Sequence, residues 1–540
     1  MRTCWAALLL ILPFAAADQA SGAPIAIGDR RELLVDDFLI DKLSAGARLQ
    51  LHQPVPREIV LTTDAPWEGN ACGYPSVFQD GKLYRMYYHG AHYRHGGKPA
   101  ETRPTHAYVL CYAESNDGIH WRRPDLGLCE FNGSKKNNII LTPESVAAIH
   151  ADPAHTAVFK DANPDCPADA RYKCVIVGRP HGLYVLHSAD GIRFRVAGTK
   201  PVITDGAFDS QNLAFWDPAS KQYRAYWRIF TAGVANGTTW KPSGTRAIRT
   251  AVSKDAVNWQ GQADVRYVDS PEQALYTNQV QAYYRAPHIL MGFPMRYTDR
   301  GWSESMMDLP GLEERMARSA ASPRYGTAVT DGLFMTSRDG VLFKRWNEAF
   351  LRPGPRRQGS WVYGDNLIFW GMVETASTLG DAPNDLTLYA PENYWQGSAV
   401  CFRRLTLRID GFVSLWGPGR GGEMLTKPLV FDGGNLTLNA ATSAAGSIQV
   451  EIQDEAGKPL PGYSLADCPE LFGDGLALVV RWRKGGDVRP LSGKTVRLRM
   501  VLKDADLYSF QFVPYQPDPV RPKLPVPAKA QPKKAAKAKR

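Results

Sequence analysis

The 540-residue sequence predicts an all-β fold, a five-bladed β-propeller followed by a β-sandwich. Three observations predict it. A short phrase recurs along the chain. Its apolar runs are short and broken by Asp-Gly turns, which favour hairpins over helices. The pattern then changes after Leu415-Trp416-Gly417-Pro418-Gly419. The phrase appears as Ala113-Glu114-Ser115-Asn116-Asp117-Gly118-Ile119-His120-Trp121, as His187-Ser188-Ala189-Asp190-Gly191-Ile192-Arg193-Phe194 and as Met335-Thr336-Ser337-Arg338-Asp339-Gly340-Val341-Leu342-Phe343. A weaker copy runs from Val252 to Trp259. A repeated hairpin unit cannot bury its apolar face alone, so neighbouring copies must stack.

In chain order, residues 1–20 read as an export signal. Arg2 gives the positive start, Ala6 to Phe14 the apolar core and Ala15-Ala16-Ala17 the small-residue cleavage site. Cleavage fits after Ala17 or Ala20. The apolar run is too short to span a bilayer, and no later stretch is apolar enough. A secreted, periplasmic or cell-surface protein is expected. Removing Cys4 with the signal leaves seven cysteines, an odd number. None has Cys-x-x-Cys spacing, and Cys166 with Cys174 would clasp a hairpin if oxidised.

The propeller is assigned to 32–418. Blade one takes Val77 to Tyr84, Arg85 to Tyr88 and Tyr108 to Tyr112. Blade two takes Thr156 to Phe159, Tyr172 to Val177 and Leu183 to Leu186. Blade three takes Leu213 to Trp216, Tyr223 to Trp227 and Ala247 to Val252. Blade four takes Val280 to Arg285, His288 to Phe293 and Gly332 to Met335. Blade five takes Asn366 to Trp370, Thr387 to Tyr389 and Cys401 to Leu407, and its turn Asp410-Gly411-Phe412 imitates the phrase. The sandwich is assigned to 424–513, where alternating strands follow Gly-rich turns. Residues 514–540 form a Pro/Lys/Ala tail. From Gln516 onward it carries eight Lys or Arg and one acidic residue, so it holds most of the formal charge of +10. With no apolar face it reads as a solvated, disordered tail and not as a nucleic-acid reader.

The chain resembles the five-bladed propeller glycosidases, the group holding glycoside hydrolase families 32, 43, 62 and 68, with a trailing sandwich as in family 32. Asp117-Gly118-Ile119-His120-Trp121-Arg122-Arg123-Pro124 with Asn132-Gly133-Ser134-Lys135-Lys136-Asn137-Asn138 is similar to a set of secreted proteins of planctomycetes and related bacteria. The resemblance implies glycosidic hydrolysis of a plant or algal saccharide. It departs at the first inner strand, where family 32 has Asn-Asp-Pro and this chain has Gly73-Tyr74-Pro75. Cys468-Pro469-Glu470 lies in the sandwich and is not the family's Glu-Cys-Pro motif.

Hydrolysis needs one carboxyl to protonate the leaving oxygen and another to attack or to activate water. Asp80, Asp161 and Asp217 each stand two residues after a strand phenylalanine and open a hairpin, so they read as turn formers. The residues preceding each inner strand should face the axial opening instead. There the catalytic candidates are Glu68, Asp209 and Asp365. Glu68 is the candidate acid because Trp67 offers it an apolar wall. Asp152, Asp205, Glu272 and Tyr363 share that face. The expected substrate-binding set is Trp67, Tyr74, Arg94, His155, Gln211, Asn278, Arg296 and Tyr363. Its Arg and aromatic content suits a saccharide, acidic or sulfated ones included. No cofactor is required by the sequence. His92, His95 and His155 would hold a metal if they converged, and a Ca²⁺ near the axis is compatible with the acids. A non-catalytic carbohydrate-binding propeller, a polysaccharide lyase using Tyr74 and His155, and an interaction scaffold are the competing readings.

Overall fold

A computed structural model of the chain describes residues 23–96, 101–235 and 239–519. The expected signal and most of the basic tail lie outside them. The fold is an all-β, five-bladed propeller. Blade one is Gly73–Asp80, Leu83–Gly90, Val109–Ser115 and Trp121–Arg122 from inside outward, with Ile139–Leu141 added. Blade two is Ala157–Lys160, Tyr172–Gly178, Gly182–Ser188 and Arg195–Val196. Blade three is Leu213–Asp217, Gln222–Ala235, Trp240–Ser253 and Trp259–Asp264. Blade four is Gln281–Tyr283, Ala286–Gly292, Met335–Ser337 and Leu342–Arg345, extended by Arg266–Val268. Blade five is Val373–Thr375, Asp385–Glu392 and Cys401–Leu407, and the early strand Val55–Thr62 pairs on its outside. That pairing closes the ring with backbone hydrogen bonds and leaves no open seam between first and last blade.

The recurring phrase acquires a physical meaning in the fold. In each full copy the serine hydroxyl donates to the aspartate two residues on, at 2.8–3.0 Å, as Ser115–Asp117, Ser188–Asp190 and Ser337–Asp339 show. The same aspartate oxygen accepts the backbone N–H groups two and three residues on, and the intervening glycine N–H donates to the serine, which fixes the turn. The turn then receives a side chain from the preceding blade. Tyr389 of blade five donates to Gly118 O, Arg85 of blade one to Asp190 O, and Tyr226 of blade three to Gly340 O. Tyr283 of blade four likewise donates to Asp410 at 2.6 Å. The repeat is therefore an interblade lock as well as a hairpin.

Blade five departs from the expected register. Its inner strand begins at Val373, not at Asn366. The stretch before it runs against blade one, where Val77 N–H donates to Trp370 O and Trp370 N–H to Pro75 O. Gly371 permits this approach: its φ is +124°, and a Cβ there would lie 1.7 Å from Val77 O. In blade four the third strand is Met335–Ser337, whereas Ala328–Gly332 pairs with Met295–Asp299 in a separate ribbon. Between those ribbon strands lies helix Leu312–Ala321.

The C-terminal unit draws on both ends of the chain, which corrects the assignment of residue 32 onward to the propeller. Glu32–Leu33 pairs with Thr495–Val513, Ile40–Ser44 with Gly422–Thr426, and Arg48–Leu51 with Val413–Gly417. Two long strands, Asn435–Gln453 and Thr495–Val513, run antiparallel and are interrupted by bulges. Its core gathers Leu436, Leu438, Trp482, Leu498 and Phe510. The Cys166–Cys174 clasp is not formed. Cys166 faces Lys173, and Cys174 is buried in its strand.

Candidate functional site

The inner strands converge on a polar plug. Gln211 is fully buried, donates to Tyr74 O at 2.7 Å and Thr156 O at 3.2 Å, and accepts from Gln279 at 2.7 Å. It satisfies backbone groups of neighbouring blades, so it is a structural pin and not a sugar ligand. Asn278 is also buried, its oxygen accepting Val280 N–H at 3.1 Å.

At the end where the inner strands begin, a pocket of about 430 Å³ opens between blades two and three. Asp152, His155, Arg179, His181, Asp209 and Trp240 line it. Asp209 precedes the inner strand of blade three and forms an ion pair with Arg228, whose own side chain is buried. Asp152 precedes the inner strand of blade two. Its carboxyl faces the pocket, yet the surrounding walls strip enough water to push it up to about 6. Two carboxyl groups of one pocket thus meet different electrostatics, one desolvated and one beside a guanidinium. The His155 ring lies tilted against Tyr74 at 5.5 Å, and burial pushes its imidazole down to about 3, so it is neutral at ordinary pH.

Next to the pocket lies a chamber of tyrosines. The rings of Tyr276, Tyr297, Tyr325, Tyr363 and Tyr394 form a chain of contacts at 5.7–6.3 Å. Arg228 and Arg246 lie 5.1 and 5.5 Å from the Tyr276 ring. Burial alone would raise the Tyr276 phenol. The two guanidinium charges, with hydrogen bonding to Tyr363 and Tyr74, hold it below the usual phenol range.

The expected catalytic trio does not share a cavity. Glu68 is fully buried, accepting from Tyr88 OH at 2.5 Å and from Arg123 Nε at 2.9 Å. Arg123 also binds the carbonyl of Thr62 in the closing strand, so Glu68 works as a clamp between blade one and the ring closure. Trp67 beside it donates to Asn138 at 2.7 Å. Asp365 is buried under the 393–394 backbone, accepting Tyr394 N–H at 2.9 Å, and desolvation pushes its carboxyl well up. Of the three, Asp209 alone reaches the pocket. Of the expected binding residues, Tyr74, His155 and Tyr363 meet at the axial mouth. Arg94 is exposed on the strand Tyr93–Gly96. Arg296 grips Asp331 at 2.5 and 2.9 Å and lines a different cleft, of about 730 Å³. His92, His95 and His155 do not converge. Among the described residues no three His, Cys, Asp or Glu side chains gather as a metal site.

The turn aspartates behave as the register predicts. Asp161 is buried and pairs with Lys173 and with Tyr223 OH, the latter at 2.6 Å. Asp80 binds Arg85, Lys160 and Tyr172, and Asp217 binds Ser220 and Arg224. Asp161 borders a cavity of about 480 Å³ at the opposite end of the axis, lined mainly by Phe159, Phe215, Trp216, Tyr283 and Trp370. Its acid is already neutralised by Lys173, so that cavity offers an aromatic surface and no free carboxylate.

The sequence reading named Asp152 on the right face but placed no role on it, and it missed Arg228, Arg246 and Tyr276. A signal existed: Arg228 ends the aromatic-rich stretch Tyr223 to Trp227, and a cation on a buried strand requires a polar partner.

No family model and no curated protein sequence matches the chain. Solved structures match in architecture. The catalytic domain of a GH62 α-L-arabinofuranosidase from Coprinopsis cinerea is 10% identical with a TM-score of 0.39, covering 66% of this chain and 99% of that one. An endo-arabinase from Bacteroides thetaiotaomicron is 10% identical with a TM-score of 0.36, covering 65% and 99%. An N-acetylgalactosamine deacetylase from F. plautii, solved with blood group B trisaccharide, is 13% identical with a TM-score of 0.39, covering 67% and 96%. These likenesses assign no residue a role.

Proposed function

We propose that the protein cleaves a glycosidic bond at the inner-strand entrance of the propeller, with Asp152 as proton donor and Asp209 as the ionised partner. The observation carrying this reading is that both carboxyl groups line one pocket, Asp152 pushed up to about 6 by desolvation and Asp209 paired with Arg228. A donor must hold its proton near working pH, and its partner must not. Asp209 sits in an ion pair with the buried Arg228, a cation that favours a carboxylate beside it. Tyr74 and the neighbouring tyrosines supply faces on which sugar rings stack. The substrate is a plant or algal oligo- or polysaccharide, and the protein acts after export to the periplasm, the cell surface or the medium.

The test compares rates on a matched pair of glycosides, one with an activated aryl leaving group. Asp152→Asn should lose about 10²–10⁴-fold on the unactivated substrate and much less on the activated one. Asp209→Asn should lose on both. Full activity of both folded variants would refute the reading.

A second reading, elimination on a uronate, is favoured by the lowered phenol of Tyr276. Tyr276, flanked by Arg228 and Arg246, would take the C5 proton next to the sugar carboxylate while the C4–O bond breaks and water protonates the leaving oxygen. An ultraviolet-absorbing unsaturated product, lost in Tyr276→Phe and kept in Asp152→Asn, would select it.

A further inference from the structure

We propose that Arg246 and Arg324 form a carboxylate-reading subsite beside the pocket, so that the saccharide taken there carries a uronate at that position. This deepens the reading above and rests on sugar binding at that mouth. Arg246 lies 4.5 Å from the centre of the Tyr297 ring, and Arg324 lies 4.6 Å from that of Tyr325. Tyr363 contacts both of those rings, at 5.7 and 6.3 Å, which places the two guanidinium groups on one aromatic wall. Contacts run on from that wall through Tyr276 to Arg228 and Asp209, so it is linked to the pocket side chain by side chain.

Charge balance sets these two arginines apart. Several arginines around the axis have an acidic partner. Arg228 has Asp209, Arg249 has Asp205 and Asp264, and Arg296 has Asp331. Among the described residues neither Arg246 nor Arg324 has a carboxylate within ion-pair distance. Arg246 Nε and Arg324 Nη1 are moreover buried without a hydrogen-bond partner. A guanidinium held away from water with unspent donors is costly unless an anion completes it. Aromatic faces position such cations but leave their N–H edges free. A planar carboxylate offers two acceptors matched to the guanidinium fork, and a sugar ring carrying it would lie on the tyrosines.

The test is calorimetric binding with the Asp152→Asn full-length protein, so that turnover plays no part. The probes are tetramers of galacturonate, of mannuronate and of glucuronate-substituted xylose, each with its carboxyl-reduced counterpart. At least one acidic tetramer should bind tenfold or more tighter than its reduced form, with the preference falling as salt rises. Arg246→Gln and Arg324→Gln should each erase that preference while leaving the reduced tetramer's affinity within about twofold. Arg246→Lys keeps the charge without the fork and should retain part of it. Equal binding of acidic and reduced forms, absence of binding by all six, or a preference untouched in both folded Gln variants would overturn the subsite. Uronate-selective binding alongside undiminished cleavage by Asp152→Asn would instead refute the catalytic reading and leave the subsite standing.

Discussion

Asp152 and His89 show how position alone sets the behaviour of a titrating group. Asp152 is exposed along one side, yet the walls around it desolvate its carboxyl and raise it to about 6, so the folded state holds its proton more tightly than the unfolded chain. Its contribution to stability is complete below pH about 4 and is lost as pH rises through about 6. Catalysis that depends on the protonated form should fall above pH about 6, and Asp152→Asn should abolish that limb of the rate profile. His89 has the opposite sign. It is buried against Ala71 O, and desolvation pushes it from 6.5 to about 4. The stability it allows is complete above pH 6.5 and is lost as pH falls toward about 4, by about 3 kcal/mol. Denaturant titrations of the parent and His89→Gln between pH 4 and 7 should diverge by that order, and superimposable curves would contradict the assignment. Asp161 is the structural counter-example. Asp161→Asn strips the buried Lys173 of its ion-pair partner and should cost about 3–5 kcal/mol while leaving turnover of the folded protein intact. This role was legible in the sequence, because the spacing from Phe159 fixed a hairpin end. The burial of Glu68 was not, because its partners Tyr88 and Arg123 are 20 and 55 residues away.

At the scale of elements, the repeat phrase carried most of the legible information. Ser, Asp and Gly at fixed offsets dictate a local turn, and local hydrogen bonds can be read without knowing the fold. What the turn docks against could not be read, because each partner comes from another blade. Gly340 makes the difference measurable. Its φ is +83° and a Cβ there would meet Arg224 at 2.3 Å, whereas Gly81 has φ +64° and open space around it. Gly340→Ala should therefore lower the melting temperature clearly more than Gly81→Ala, the latter costing about 1 kcal/mol from backbone strain alone. Equal losses would mean that the turn does not press on the preceding blade. Helix Leu312–Ala321 was illegible for a related reason. Its buried residues are Arg315 and Arg318, which donate to carbonyls of Trp361 and Trp395, so its inward face carries no apolar stripe to recognise.

At the scale of the molecule, the chain crosses between its two parts at both ends. The strand Val55–Thr62 completes blade five, and the strands before it complete the C-terminal sheets. Asp410 sits at the junction, accepting from Tyr283 and Arg285 of the propeller and from Asn439 and Ser509 beyond it. Removing residues 23–62 should leave neither part cooperatively folded, as read by loss of the unfolding transition. The number of blades was legible because each carries its own turn. The role of the N-terminal strands was not, since pairing over more than 300 residues leaves no local mark. Two cavities then compete along one axis, the polar pocket at the inner-strand entrance and the aromatic cavity at the far end. The most direct measurement is a crystal structure of Asp152→Asn soaked with an acidic oligosaccharide that it binds. The sugar should lie at the entrance, with density against Asp209, Tyr74 and Arg246. Density confined to the far cavity, against Phe159 and Trp216, would contradict the placement of function at the entrance.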